Sequence, residues 1–177
     1  MPLPNPLSQS PSVRFGLRFA LVFAGLLGAL EALRTSSLWP ALLQSALLQP
    51  TAALLSLGLS PDTVYSQGIS LISGSTRLNV VRGCDGTETL LLLISALFAY
   101  PASARERTVG LVCGSVVTYL LSVLRLSALF LTLRYSPQAW EALHGLVLPL
   151  TPVLGVALYF LHWSGTTSAC DPAPPSC

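Results

Sequence analysis

The chain has 177 residues, of which 52% are apolar and only 9% charged, with a formal net charge of +2. The charged share is about a third of the roughly 25% usual in soluble proteins, which excludes a water-soluble domain, a disordered chain and a nucleic-acid binder. All nine cations are arginines, and the length suits a single integral membrane domain with a few spans.

The first element is an apolar run near residues 15–33, preceded by Arg14 and Arg18 and closed by Glu31 and Arg34. No small-residue cleavage site follows it before Glu31, so it reads as an uncleaved helix with a cytoplasmic start. Residues 38–59 are apolar enough to span, but Ser37, Gln44, Ser45, Gln49 and Ser56 fall on one helical stripe. That pattern predicts an interfacial or re-entrant helix, kinked at Pro50. Residues 60–86 form the one long polar stretch. Within it, Gly68–Ile72 and Thr76–Val81 alternate with period two around Ser73-Gly74-Ser75, which predicts a small β-hairpin over 66–83.

Three further helices follow, near residues 86–104, 108–133 and 140–163, each close to the roughly 17–25 apolar residues that a span requires. The resulting fold class is an all-α polytopic membrane protein: one domain over 1–163, about four transmembrane helices, an interfacial helix and an extracytoplasmic hairpin. Residues 164–177, rich in Pro and Ser, read as a disordered tail. With 38–59 on the surface, both termini lie in the cytoplasm and Arg105-Glu106-Arg107 forms a short inside loop. Arg34, Arg77, Arg82 and Arg134 then lie outside, so charge bias alone leaves orientation near a tie.

Three residues stand out chemically. Cys84 lies where the hairpin hands over to a helix, and Asp85 and Glu88 have the spacing of a capping box there. A helix start favours a thiolate, the two carboxylates oppose it, and a cation is needed to tip the balance. Arg125 stands inside an apolar span, at a cost of at least about 2.5–3.5 kcal/mol, and so needs a polar partner in the bundle interior. His144 lies about one turn into the last helix. The short turn from Arg134 to Ala139 makes the last two helices antiparallel neighbours, so His144 and Arg125 reach similar depths. A thiol, an imidazole and a guanidinium suffice for acyl transfer. No His/Asp/Glu cluster has metal-ligand spacing, and no cofactor is expected. Cys113 reads as an apolar packing residue, and Cys170 and Cys177 lie in the tail. A non-catalytic reading, a small membrane assembly factor or transporter subunit, leaves Arg125 paired to a partner helix and Cys84 incidental.

The run from Leu47 to Gly58, the sequence Arg82-Gly83-Cys84-Asp85-Gly86, the pair Leu124-Arg125 and the following His144 together resemble the exosortase/archaeosortase family of membrane cysteine transpeptidases, over roughly residues 40–160. The short length and the Gly-Cys-Asp-Gly-Thr-Glu sequence look like its exosortase H branch. The resemblance implies catalytic roles for Cys84, Arg125 and His144, with Arg82, Gly83, Asp85, Glu88 and Ser122 around the substrate. It implies a multi-pass enzyme of the bacterial cytoplasmic membrane, open to the extracytoplasmic side. Its partners are exported proteins bearing a C-terminal sorting signal (motif, hydrophobic helix, basic tail) and membrane lipid, with no nucleic acid; oligomeric state is not implied. Three positions depart from the family pattern: Asp85 replaces a frequent Ser, Ser122 a frequent Asn, and Gly145 a frequent acidic residue.

Overall fold

The computed structural model describes residues 11–59 and 63–168. A first helix, α1 (Pro11–Arg34), is followed by a helical rod: α2 (Leu38–Leu43), a π-helical turn (Gln44–Leu48) and α3 (Gln49–Gly58). Three strands come next, β1 (Tyr65–Gln67), β2 (Ser70–Ser73) and β3 (Thr76–Asn79), then α4 (Thr87–Ala99) and α5 (Ala104–Tyr135). The last rod comprises α6 (Trp140–Ala142), a second π-helical turn (Leu143–Val147) and α7 (Leu148–Ser168), so the described chain stays helical past the expected boundary at residue 163. The rest of the expected tail, with Cys170 and Cys177, lies outside the described residues.

By length and apolar content, four described helices are able to cross a bilayer: Ser12–Arg34, Leu38–Gly58, Ala104–Tyr135 and Pro137–Thr167. The count agrees with expectation, and by length and composition the Leu38–Gly58 rod qualifies where the helix over 86–104 does not. The helix expected over 86–104 ends at Ala99, because Pro101 forces Tyr100 into extended backbone at φ −77° and ψ 135°. Its 13 residues reach about 20 Å at 1.5 Å per residue, short of a full span. The polar stripe of Leu38–Gly58 has a use other than facing headgroups. Gln44 donates to the Ser66 carbonyl at 3.3 Å, and the Ser56 hydroxyl bonds both the N–H and the C=O of Val64. Its outward face instead shows Leu38, Leu42, Leu54 and Leu57.

The expected hairpin is a three-stranded antiparallel sheet in the order β1-β2-β3. Gly68 and Ile69 form a turn rather than strand. The Ser70↔Asn79 to Ser73↔Thr76 register pairs β2 with β3, and Tyr65↔Ile72 to Gln67↔Ser70 adds β1. The sheet is tied to the end of α5 where Arg134 donates to the Ser73 hydroxyl at 3.0 Å.

Two apolar cores hold the bundle. One joins the sheet (Leu71, Leu78), the α2–α3 rod (Leu48, Leu55) and the second half of α5 (Leu126, Leu129, Phe130). The other joins Leu93 and Leu97 of α4 to Val156 and Trp163 of α7. Here α5 passes close by: a methyl group on Gly114 would meet Leu93 Cδ2 at 2.5 Å and Tyr159 Cε1 at 2.7 Å, so only hydrogen fits. Cys113 beside it is exposed on the bundle surface, not packed as expected. A small apolar thiol is tolerated on the surface of a membrane-length helix as readily as in a core.

Both π-helical turns end two residues before a proline, Pro50 in one rod and Pro149 in the other. Proline has no N–H and crowds the carbonyl four residues back. Widening the preceding turn relieves the crowding. The kink expected at Pro50 takes this form.

Candidate active site

After β3 the chain runs along a loop, Val80–Gly86, before starting α4. The Cys84 N–H bonds the Val81 carbonyl at 3.1 Å, turning the loop so that the thiol enters the core beside Val80 and Leu126. Gly86 then takes φ +78° and presses on α5, where an added methyl group would lie 1.9 Å from the Ser122 hydroxyl. Glycine is required there twice over, for its backbone angle and for the space. Ser122 itself donates to the Thr118 carbonyl at 2.9 Å and is buried, so it serves as the seat of the loop. Seating the loop at Ser122 leaves the rest of α5 rising past it to Tyr135, alongside the sheet.

The capping box expected at Asp85 and Glu88 is not formed. Gly86 occupies the cap position and no side chain caps α4. Asp85 instead accepts from the Thr87 hydroxyl at 2.5 Å and pairs with Arg34 at 3.5 Å. The positive φ of Gly86 carries Asp85 away from the helix axis, where Arg34 competes for it. A capping box does form at the start of α5, where the Ser103 hydroxyl accepts from the Glu106 N–H at 3.3 Å and the Glu106 carboxylate accepts from the Ser103 N–H at 2.9 Å. The Ser-Ala-Arg-Glu spacing carried that signal in the sequence.

Cys84, Arg125 and His144 meet. The Cys84 Sγ lies 3.8 Å from His144 Nε2 and 4.0 Å from Arg125 Nη2. Arg125 Nη1 donates to the Gly83 carbonyl at 2.8 Å, while its buried Nε has no hydrogen-bond partner. The His144 ring stacks on Trp140, centroids 4.9 Å apart and planes 23° apart. His144 sits in the second π-helical turn. Burial pushes the Cys84 thiol above its ordinary value; Arg125 opposes the rise, Asp85 adds to it, and the bond to Val81 opposes it again. Desolvation therefore outweighs the cation, and the balance left open between helix start and carboxylates falls to the neutral thiol.

The five residues expected around a substrate divide. Arg82 is 71% exposed at its side chain and pairs with Glu31 at 3.2 Å. Glu88 is partly exposed and pairs with Arg34 at 3.1 Å. Gly83 offers its carbonyl to Arg125, and Asp85 and Ser122 are buried within the support of the loop. Arg34, which the sequence placed at the end of a helix on the outer face without a partner assigned, reaches Glu31, Asp85, Thr87 and Glu88. Trp140 was also missed, although its i, i+4 spacing to His144 was in view. Among the described residues, no three His, Cys, Asp or Glu side chains gather as a metal site.

A bundle of membrane-length helices with a buried thiol, a buried guanidinium and a half-buried imidazole at one loop defines a polytopic membrane protein with the parts for acyl transfer. The family model for transmembrane exosortases matches residues 11–163. The chain belongs to the transmembrane exosortase family, whose general role is that of a membrane transpeptidase acting on proteins with sorting signals. No curated protein and no solved structure matches the chain.

Proposed function

We propose that the protein cleaves the C-terminal sorting signal of exported proteins through a thioester at Cys84 and transfers them to a cell-envelope acceptor. The observation that carries this reading is the 3.8 Å approach of Cys84 Sγ to His144 Nε2 beside the Arg125 guanidinium. His144 takes the thiol proton as the sulfur attacks the scissile carbonyl carbon. A neutral thiol next to an imidazole suits a base-assisted attack, not a standing thiolate. Arg125 has donor capacity left at Nε and holds the oxyanion of the tetrahedral intermediate. Collapse breaks the C–N bond, and the imidazolium returns its proton to the leaving amine. An acceptor nucleophile then attacks the thioester, its proton passes to His144, the C–S bond breaks and the thiolate regains the proton.

In this reading the site opens to the extracytoplasmic side of the cytoplasmic membrane. The substrate's own helix lies against the bundle, its motif reaches the loop at Arg82 and Glu88, and its basic tail stays inside. The test is processing of a sorting-signal protein in membranes. Cys84→Ala is expected to accumulate normally and leave the substrate uncleaved; normal cleavage by Cys84→Ala would overturn the mechanism.

A further inference from the structure

Arg34 ends α1, far along the chain from Cys84, yet its guanidinium is turned into the bundle with only 5% of the side chain exposed. It lies 2.9 Å from Glu31, 3.1 Å from Glu88 and 3.5 Å from Asp85, and donates to the Thr87 hydroxyl at 3.1 Å. The Trp39 ring covers it, 5.6 Å from its centroid. Two of these contacts, Asp85 and Thr87, flank Gly86 and so fix the segment that carries Cys84 into α4. Asp85 is itself buried and has one carboxylate oxygen without a partner. Its charge is therefore poorly screened by water and acts on the neighbouring thiol.

The charges around Cys84 come from every element packed on it. Arg125 of α5 and His144 of the second π-helical turn face the sulfur directly. Asp85 and Arg82 stand beside it in the loop, Glu88 on α4, and Glu31 and Arg34 on α1. Arg34, Arg82 and Arg125 thus stand against Glu31, Asp85 and Glu88, a set with no net charge. Removing Arg34 would leave a buried carboxylate uncompensated next to a thiol that must lose its proton.

We propose that Arg34 is a positioning residue for Cys84: it clamps Asp85 and Thr87 so that the loop holds the thiol in place, and it cancels the Asp85 charge beside that thiol. The role deepens the cysteine mechanism proposed above and predicts a charge-specific effect. A bracing role alone predicts loss of folded protein without a change in thiol acidity.

The experiment is the pH dependence of Cys84 modification by methyl methanethiosulfonate, a small neutral reagent, in the full chain in detergent micelles. Peptide mass spectrometry reads the modified fraction of the Cys84 peptide. Arg34→Met is expected to slow modification of Cys84 about tenfold at pH 8 relative to the unmodified chain, and to move its pH profile upward. Arg34→Met with Asp85→Asn is expected to return the profile to that of the unmodified chain, and Arg34→Lys to stay near it. An unmoved profile in Arg34→Met, or no return in the double variant, would overturn the proposal. Should Arg34→Met fail to accumulate, Asp85→Asn alone decides: a downward shift supports the charge coupling and an unmoved profile overturns it. None of these readouts needs a substrate, so failure of the transpeptidase reading, seen as normal processing by Cys84→Ala, is scored separately.

Discussion

The two ends of α5 solve opposite problems. Near Gly114 the helix packs closely on Leu93 and Tyr159 because it has no side chain there, and the Tyr159 hydroxyl donates to the Gly110 carbonyl at 2.8 Å. Near Ser122 and Arg125 it meets a loop through hydrogen bonds and charge, with a buried guanidinium, a buried carboxylate and a buried thiol side by side. The first arrangement is cheap and contributes stability. The second costs desolvation, which a protein tolerates where the groups have work to do. The comparison teaches where function and scaffold separate along one helix: substitution of Arg125 changes chemistry, and substitution of Gly114 changes accumulation.

Four substitutions and one titration sharpen or break that division. The largest effect is expected from His144→Gln, which keeps a polar side chain but removes the base. Processing should fall about 10²–10⁴-fold with normal accumulation, and a fall below tenfold would take His144 out of the mechanism. Arg125→Lys keeps the charge but loses the fork that spans the Gly83 carbonyl and the sulfur. It should lower processing about 10²–10³-fold, read as turnover at saturating substrate. Gly114→Ala should behave in the contrary way. Overpacking costs about 1–3 kcal/mol, seen in thermal unfolding of the micelle-bound protein, while processing per folded molecule is retained. The smallest effect is expected from Trp140→Leu, which leaves Nε2 available but frees the ring; a several-fold loss of turnover should appear with no change in unfolding.

The titration follows from the raised thiol. Cys84 is neutral below its own pKa, and that pKa lies above the usual value of about 8.5. Modification should therefore rise about tenfold for each pH unit through neutrality and show no plateau before about pH 8.5. A plateau below pH 7 would mean that Arg125 outweighs burial after all.

Much of this was legible in the sequence, for identifiable reasons. Apolar runs between arginines mark helices because membranes admit few other structures. An arginine in an apolar run needs a partner, and a short connection makes the last two helices antiparallel, so Arg125 and His144 could be paired from spacing. The sheet was half read. β2 and β3 alternate, whereas Val64–Gln67 carries too little apolar pattern to announce β1. Pro101 was legible as an end of the α4 run, and only the boundary was set too far, at 104 rather than at Ala99. Arg34 was not legible at all. Its partners Asp85, Thr87 and Glu88 lie more than fifty positions away, and only the packing of α1 on α4 brings them to it. The protonation balance of Cys84 stayed open for a related reason, since helix-end effects are local but desolvation depends on what the whole bundle places around the sulfur.

The central claim is that Cys84 carries the substrate covalently. Acid-quenched reaction mixtures of the protein with a sorting-signal substrate, digested and analysed by mass spectrometry, test it most directly. The account predicts a hydroxylamine-labile adduct on Cys84 whose mass equals the substrate's N-terminal portion up to the cleaved bond. Turnover without any adduct on Cys84, or an adduct on another residue, would contradict it.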